Sequence, residues 1–233
     1  AQVVPFPGSA SLLAAPMGAA WNCAQGCGRG IALWRGTLLQ SSIGEKSYWD
    51  AAYAAGRYND TYEWLQTCEE LMPFIQKELG GAVASKILHV GCGNSNLGKI
   101  LVDQGHSVVN VDISKVVLEQ MKQKYPDLQW VEADCSVEGA LGPSDVYDFV
   151  LDKGGLDSLL EARTTQMTIR GRGMIKEIHR VLRPGGRYLL FANGAEGRTG
   201  MLKEVFADVE LESCEGYSMD LYWKIVCFYI GKK

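Results

Sequence analysis

KILHVGCGNSNLGKILVDQGHSVVNVD, residues 86–112, is the stretch that decides how this chain folds. KILHVG (86–91) is a short apolar run ending in glycine, which reads as a buried strand. NLGKILVDQG (96–105) carries a helical pattern closed on its C-terminal side by Gly105. SVVNVD (107–112) is a second strand, and Ser114 stands where it can cap the helix that follows. Strand, turn, helix and strand in this order open a parallel sheet wrapped by helices. Within the turn, HVGCGNSNLG (89–98) has glycines that let the backbone bend tightly and approach a ligand, with the unpaired N–H groups of a helix N-terminus behind them. Asp112 closes the second strand about twenty residues beyond Gly91, where a carboxylate can accept both hydroxyls of a ribose.

The same alternation runs outward from this unit. LQWVEAD (128–134), VYDFVLD (146–152) and GRYLLFAN supply three further strands, and a helix around 165–182, ending at RVLRPGG, leads into the last of them. Two amphipathic helices, roughly 45–56 and 61–79, are predicted to open the domain. VELESC and LYWKIVCFYIG read as a closing antiparallel pair. The expectation is an α/β protein with a Rossmann-like sheet of seven strands and helices on both faces.

Residues 1–44 differ in kind. They contain no acidic residue, and their only charges are Arg29 and Arg35; all 27 acidic residues of the chain lie from Glu45 onward. We therefore expect an irregular N-terminal extension (1–44) followed by the catalytic-type domain (45–233). An acidic-free, Ala/Ser/Gly-rich segment with sparse arginines has the character of an organelle-targeting region. A start at Ala1 agrees with processing, so a mitochondrion or plastid is the expected compartment and the cytoplasm the alternative.

The seven cysteines (Cys23, Cys27, Cys68, Cys92, Cys135, Cys214 and Cys227) are scattered and odd in number, which reads as free thiols. Cys23 and Cys27 have no second pair at ligand spacing, so no metal site is expected. The formal net charge is −4 and no basic stripe is visible, which disfavours a nucleic-acid substrate. No run of about 18 apolar residues is present to span a membrane.

Which nucleotide the turn serves follows from its spacing. A nicotinamide fingerprint places its third glycine at position 96, where Asn96 stands, and the glycine arrives late, at Gly98. One nucleotide half is present, which suits S-adenosylmethionine (SAM) and not a dinucleotide. In this topology Asp134 and Cys135, at the end of the third strand, face an adenine: a carboxylate for the exocyclic amine and a small side chain against the ring. Asp152, Lys153 and Asp157, in DKGGLDSLL (152–160), gather at the end of the fourth strand, where ligands of open α/β sheets sit. The plainer readings are a helix-capping Asp157 beside a surface Lys153. His89, His106 and His179 read as structural residues.

YWDAAY (48–53), YEWL (62–65), GCGNSNLG (91–98), VDIS (111–114), DKGGLDSLL and RVLRPGGRYLL together resemble the methyltransferase-like family of class I SAM-dependent methyltransferases. That family includes the lysine methyltransferases of translation elongation factor 1-alpha and of citrate synthase. The resemblance covers about residues 45–233. It implies a donor site made of Trp49, Tyr53 and Trp64 from the N-terminal helices, Gly91, Gly93 and Asn94 from the first loop, Asp112 and Ile113, Asp134 and Cys135, and Lys153. Trp49 and Tyr53 are spaced to share a helix face, where aromatic rings can cover a sulfonium or simply pack the helix on the sheet. Two departures are visible: Gly155 stands where the family usually has threonine, and ANGAEGRTG (192–200) replaces a Pro-His-Phe-Arg segment common in animal members.

The resemblance implies methyl transfer from SAM to a protein lysine, with Asp152 and Asp157 as the carboxylates expected to orient the acceptor. Two other readings compete. In one, the chain is a non-catalytic subunit of a large assembly, anchored by residues 1–44 through apolar residues such as Trp21 and Trp34. In the other, the acceptor is a small molecule.

Overall fold

The computed structural model describes residues 43–58, 62–161, 163–193, 197–213, 217–219, 222–224 and 226–233. The expectations for residues 1–42, including the Cys23/Cys27 pair and the anchoring tryptophans, lie outside the described residues.

Five strands run parallel: β1 (Lys86–Val90), β2 (Ser107–Asp112), β3 (Gln129–Glu132), β4 (Tyr147–Lys153) and β5 (Leu182–Asn193). Strands β6 (Asp208–Ser213) and β9 (Val226–Lys232) pair antiparallel, and β9 is also antiparallel to β5. The order β3-β2-β1-β4-β5-β9-β6 makes the expected seven-stranded sheet. A short two-stranded ribbon, β7 (Tyr217–Met219) with β8 (Tyr222–Lys224), lies between β6 and β9 in sequence and was not foreseen. The chain steps from β1 outward to β2 and β3, then crosses back to β4 on the other side of β1. This reversal opens a crevice at the C-terminal ends of β1 and β4.

Helices cover both faces. They are α1 (Lys46–Ala54), α2 (Cys68–Leu79), α3 (Leu97–Asp103), α4 (Lys115–Lys124), α5 (Gly155–Leu160), α6 (Thr165–Val181) and α7 (Arg198–Lys203). Side chains alternate along each strand, so Leu88 and Val90 of β1 pack with Val150 and Leu190 against Ile175 and Ile178 of α6. Ile87 points the other way, with Leu151, Leu189 and Phe191, onto Leu71 and Ile75 of α2 and Leu97 and Leu101 of α3. Burial on both faces is why the central strands read as nearly unbroken apolar runs.

Two local expectations hold closely. Gly105 adopts a φ of +92° just past α3, and Ser114 caps α4 by accepting from the Val117 N–H. The second opening helix does not begin near residue 61. It starts at Cys68, because Thr67 accepts from the Glu70 N–H while the Glu70 carboxylate accepts the Thr67 N–H at 2.9 Å. This reciprocal capping box sets the boundary, and Trp64 therefore lies between the helices and not on one. Among the described residues no helix is long and apolar enough to cross a membrane.

Candidate donor site at the strand ends

The loop after β1 turns on Gly91 (φ +58°) and Gly93 (φ +50°), a region that side chains other than hydrogen rarely tolerate. Close packing adds a second constraint at each. A Cβ on Gly91 would lie 3.0 Å from the Gly155 Cα, and one on Gly93 would lie 2.8 Å from the Tyr53 hydroxyl. Asp112 ends β2 and is buried; one carboxylate oxygen accepts the Gly93 N–H and the other the Ser114 N–H, both at 2.9 Å. Burial raises its pKa, opposed by these backbone donors. The carboxylate is thereby fixed to both the glycine loop and the start of α4. Asn94 is buried in the same loop.

The late glycine of the motif has its own cause. Gly98 faces the Asn110 amide of β2, leaving no room for a Cβ. Asn110 uses that space to donate to the Gln129 carbonyl at 3.2 Å and to bond His89 Nδ1 at 3.2 Å. His89 is fully buried, and burial holds its pKa down to about 4, so it is a neutral structural residue, as read from the sequence.

Beside Asp112, an open cleft of about 620 Å³ is bordered by Lys46, Ile113, Glu132, Asp134, Gln166 and Arg170. Asp134 accepts the Ser136 hydroxyl at 2.6 Å, the Ser136 N–H at 2.9 Å and the Arg170 guanidinium at 2.9 Å. Burial pushes its carboxyl upward, but these donors outweigh it and hold the carboxyl below the usual range. Helix α1 is fastened alongside the cleft. Lys46 donates to the Ile113 carbonyl at 3.0 Å and pairs with Glu132 at 3.0 Å, Asp50 accepts the Ser114 hydroxyl at 2.7 Å, and Arg170 donates to the Gly44 carbonyl at 2.8 Å. Cys135 is half-buried, and burial raises its thiol pKa far enough to keep it protonated.

Trp49 and Tyr53 of α1 and Trp64, which follows that helix, meet in one aromatic cluster. Ring centroids are 5.9 Å apart for Trp49 and Tyr53 and 5.7 Å for Trp49 and Trp64. Tyr58 and Tyr62, which sequence reasoning did not single out, join it at 5.1 Å from Trp64.

At the end of β4 the structure separates the expected residues. Asp152 is fully buried and accepts the Tyr188 hydroxyl and the Gly155 N–H, each at 2.7 Å, with the Leu156 N–H at 3.2 Å. Burial pushes it up to about 7. Asp157 accepts the Asn193 N–H at 2.7 Å and the Arg198 guanidinium at 2.5 Å. It lies in the first turn of α5 and ties that helix to β5 and α7, which corrects the simple capping alternative. The surface-lysine alternative for Lys153 is corrected too: its side chain is 3% exposed and ion-paired with Glu63. Glu63 was missed although it lies inside the YEWL motif; its carboxylate also accepts the Ser95 hydroxyl and the Cys68 thiol, both at 3.3 Å.

A family model described as a methyltransferase domain matches residues 88–190. The human eEF1A lysine and N-terminal methyltransferase is 36% identical over 155 residues, which is 63% of this chain and 21% of that protein. The EEF1A lysine methyltransferase 4 of Bos taurus is 33% identical over 161 residues, 65% of this chain and 62% of that protein. The chain is therefore similar, over its central part, to a methyltransferase domain and to the eEF1A lysine methyltransferases. It spans only about a fifth of the human relative's length. The 1,6-didemethyltoxoflavin-N1-methyltransferase of Burkholderia thailandensis, solved with 1,6-didemethyltoxoflavin and S-adenosylhomocysteine, shares the fold at a TM-score of 0.59 and 17% identity, over 81% of this chain and 87% of that one.

The matched span 88–190 holds the glycine loop, Asp112, Asp134 and Lys153. The aromatic wall and Glu63 lie before it. Arg170 and Lys46 carry no motif of their own, and their long-range contacts, like that of Glu63 with Lys153, identify them.

Proposed function

We propose that this chain methylates a lysine side chain of a protein, using SAM as donor, and that the acceptor is of the elongation factor 1-alpha class named in its relatives. The observation that carries the donor assignment is Asp112, buried at the tip of β2 and tied to the glycine loop beside an open cleft. The residues present fit an adenosine. Asp112 would hold the ribose hydroxyls, Asp134 would face the base amine, Ile113 and Cys135 would lie against the ring, and Gly91 and Gly93 give the backbone close approach. When bound, SAM supplies a methyl group already activated on a sulfonium.

The protein's part is positioning and desolvation. The cluster of Trp49, Tyr53, Tyr58 and Trp64 packs beside Gly93, where it keeps water out and presents ring faces to a cation. An acceptor lysine has an ordinary pKa of about 10.4 and must lose its proton before it attacks; an apolar, aromatic surround favours the neutral amine. Asp152 and Asp157 orient the acceptor indirectly in this reading. Asp152 holds the start of α5 and Tyr188, and Asp157 links α5 to β5 and Arg198.

Incubation with methyl-radiolabelled SAM and a source-cell lysate is expected to label a discrete protein band at lysine. Label confined to small molecules would favour the small-molecule reading instead. The acidic-free composition of residues 1–44 supports a separate proposal: an organellar location and attachment to a partner through this segment. Deletion of residues 1–40 should then release the protein from its complex and leave SAM binding intact.

A further inference from the structure

We infer that Gln66 binds the methyl acceptor, its side-chain oxygen accepting an N–H of the lysine nitrogen that takes the methyl group. The inference rests on the lysine acceptor proposed above. Among the described residues, two buried side-chain atoms have no hydrogen-bond partner: His89 Nε2 and Gln66 Oε1. His89 belongs to the sheet interior, where its other ring nitrogen bonds Asn110. Gln66 is different. It stands in the loop before α2, where an amide side chain could turn to water, yet it is only 6% exposed. A desolvated oxygen left unpaired is costly, and its persistence calls for a partner that completes it. A carbonyl oxygen only accepts, so that partner must bring a donor.

The backbone around Gln66 is strained and fixed. The Gln66 N–H donates to the Trp64 carbonyl at 2.8 Å, and Leu65 between them has a φ of +64°. This is the strained form of the three-residue turn, adopted by a residue without the freedom of glycine. Directly after Gln66, the Thr67–Glu70 capping box sets the start of α2. Such strain collects where a fold holds a side chain ready for a ligand. The neighbours of Gln66 place it. Glu63 pairs with Lys153 at the end of β4, and a Cβ on Gly154 would lie 3.7 Å from the Leu65 Cδ1. Cys68 bonds Ser95 of the glycine loop at 3.5 Å. The segment is thus fastened to the crevice between β1 and β4, where an acceptor has to meet the donor. Accepting one N–H there orients a neutral amine and leaves its lone pair free to attack. The N–C bond forms as the C–S bond breaks and its electrons pass to sulfur; the methylated ammonium then releases its extra proton to water.

The test compares the intact wild-type chain with Gln66→Met and Gln66→Glu by thermal melts, titration with S-adenosylhomocysteine, and lysine labelling of a source-cell lysate from methyl-radiolabelled SAM. Gln66→Met removes the unpaired oxygen and nearly keeps the shape, so the ligand-free chain is expected to melt a few degrees higher. Its affinity for S-adenosylhomocysteine should stay within about twofold while lysine labelling falls by about tenfold, the worth of one hydrogen bond. Gln66→Glu keeps an accepting oxygen but buries a charge, so it should melt below Gln66→Met and yet label lysine faster. A packing role reverses that rank. Wild-type labelling by Gln66→Met overturns the inference, as does a parallel loss of S-adenosylhomocysteine affinity, which would assign the oxygen to the donor. A Gln66→Met chain that melts lower than wild type or does not fold overturns it too, since the oxygen would then have a partner within the fold. If the wild-type chain binds S-adenosylhomocysteine but labels no lysine, the acceptor reading fails and takes the inference with it, an outcome visible in the wild type alone.

Discussion

Gly98 of α3 faces the Asn110 side chain of β2 so closely that the Asn110 amide occupies the place of a glycine Cβ. The late glycine is thus a packing device that brings helix α3 onto β2 while Asn110 serves His89 and the β3 carbonyl of Gln129. Gly98→Ala is expected to destabilise the fold. Overpacking costs about 1–3 kcal/mol, which outweighs the roughly 1 kcal/mol that alanine gains in a helix. Thermal melts of Gly98→Ala, Asn110→Ser and the double variant should show the second change relieving the first. Simple additivity would show that the two residues do not compete for the same space.

Arg170 binds Asp134 and the Gly44 carbonyl through one guanidinium, so Arg170→Gln should loosen the segment before α1 and the wall of the cleft together. The loss is expected to be about 1.5–3 kcal/mol, the range for hydrogen bonds to charged groups. Asp134 is held below the ordinary carboxylate range, burial being outweighed by Ser136 and Arg170. Its contribution is therefore present above the ordinary value, about 3.9, and is lost as pH falls through the lower folded value. The gap in Tm between wild type and Arg170→Gln should be widest above about pH 4 and shrink in more acidic buffer. A gap that is constant with pH would show that Arg170 acts through partners that do not titrate, the Gly44 carbonyl and the Ser136 hydroxyl.

Asp152 has the opposite sign. Burial first, and then the Asp157 charge, push it up to about 7 against the Tyr188 hydroxyl and two backbone donors. The folded chain keeps this proton between about pH 4 and 7, where the unfolded chain has lost it. Its stabilising share is complete below that window and disappears as pH rises through it. Denaturant titrations from pH 4 to 8 should show wild-type stability declining relative to Asp152→Asn, whose side chain does not titrate. Parallel curves for the two proteins would mean that Asp152 is ionised throughout.

Much of this was legible before any coordinates. SVVNVD maps onto β2 residue for residue, and Gly91, Gly93 and Asp112 converge as their spacing implied, because strand, tight turn and helix start are local features. The start of α2 was placed near residue 61 although Thr67 and Glu70 spell a capping box that begins the helix at Cys68. The inward turn of Asp152 depends on Tyr188, and the Lys153 partner on Glu63, contacts made across the sheet that no local pattern encodes. The same applies to Arg170, whose helix is obvious in the sequence while its reach to Asp134 and Gly44 is not.

Titration calorimetry with S-adenosylhomocysteine on wild type and Asp112→Ala tests the donor site most directly. The wild-type chain is expected to bind, and Asp112→Ala to bind more weakly by about 1.5–3 kcal/mol, as loss of hydrogen bonds to a charged group requires. Absence of binding by the folded wild-type chain, or equal affinity in the two proteins, would contradict the assignment of this strand edge to SAM.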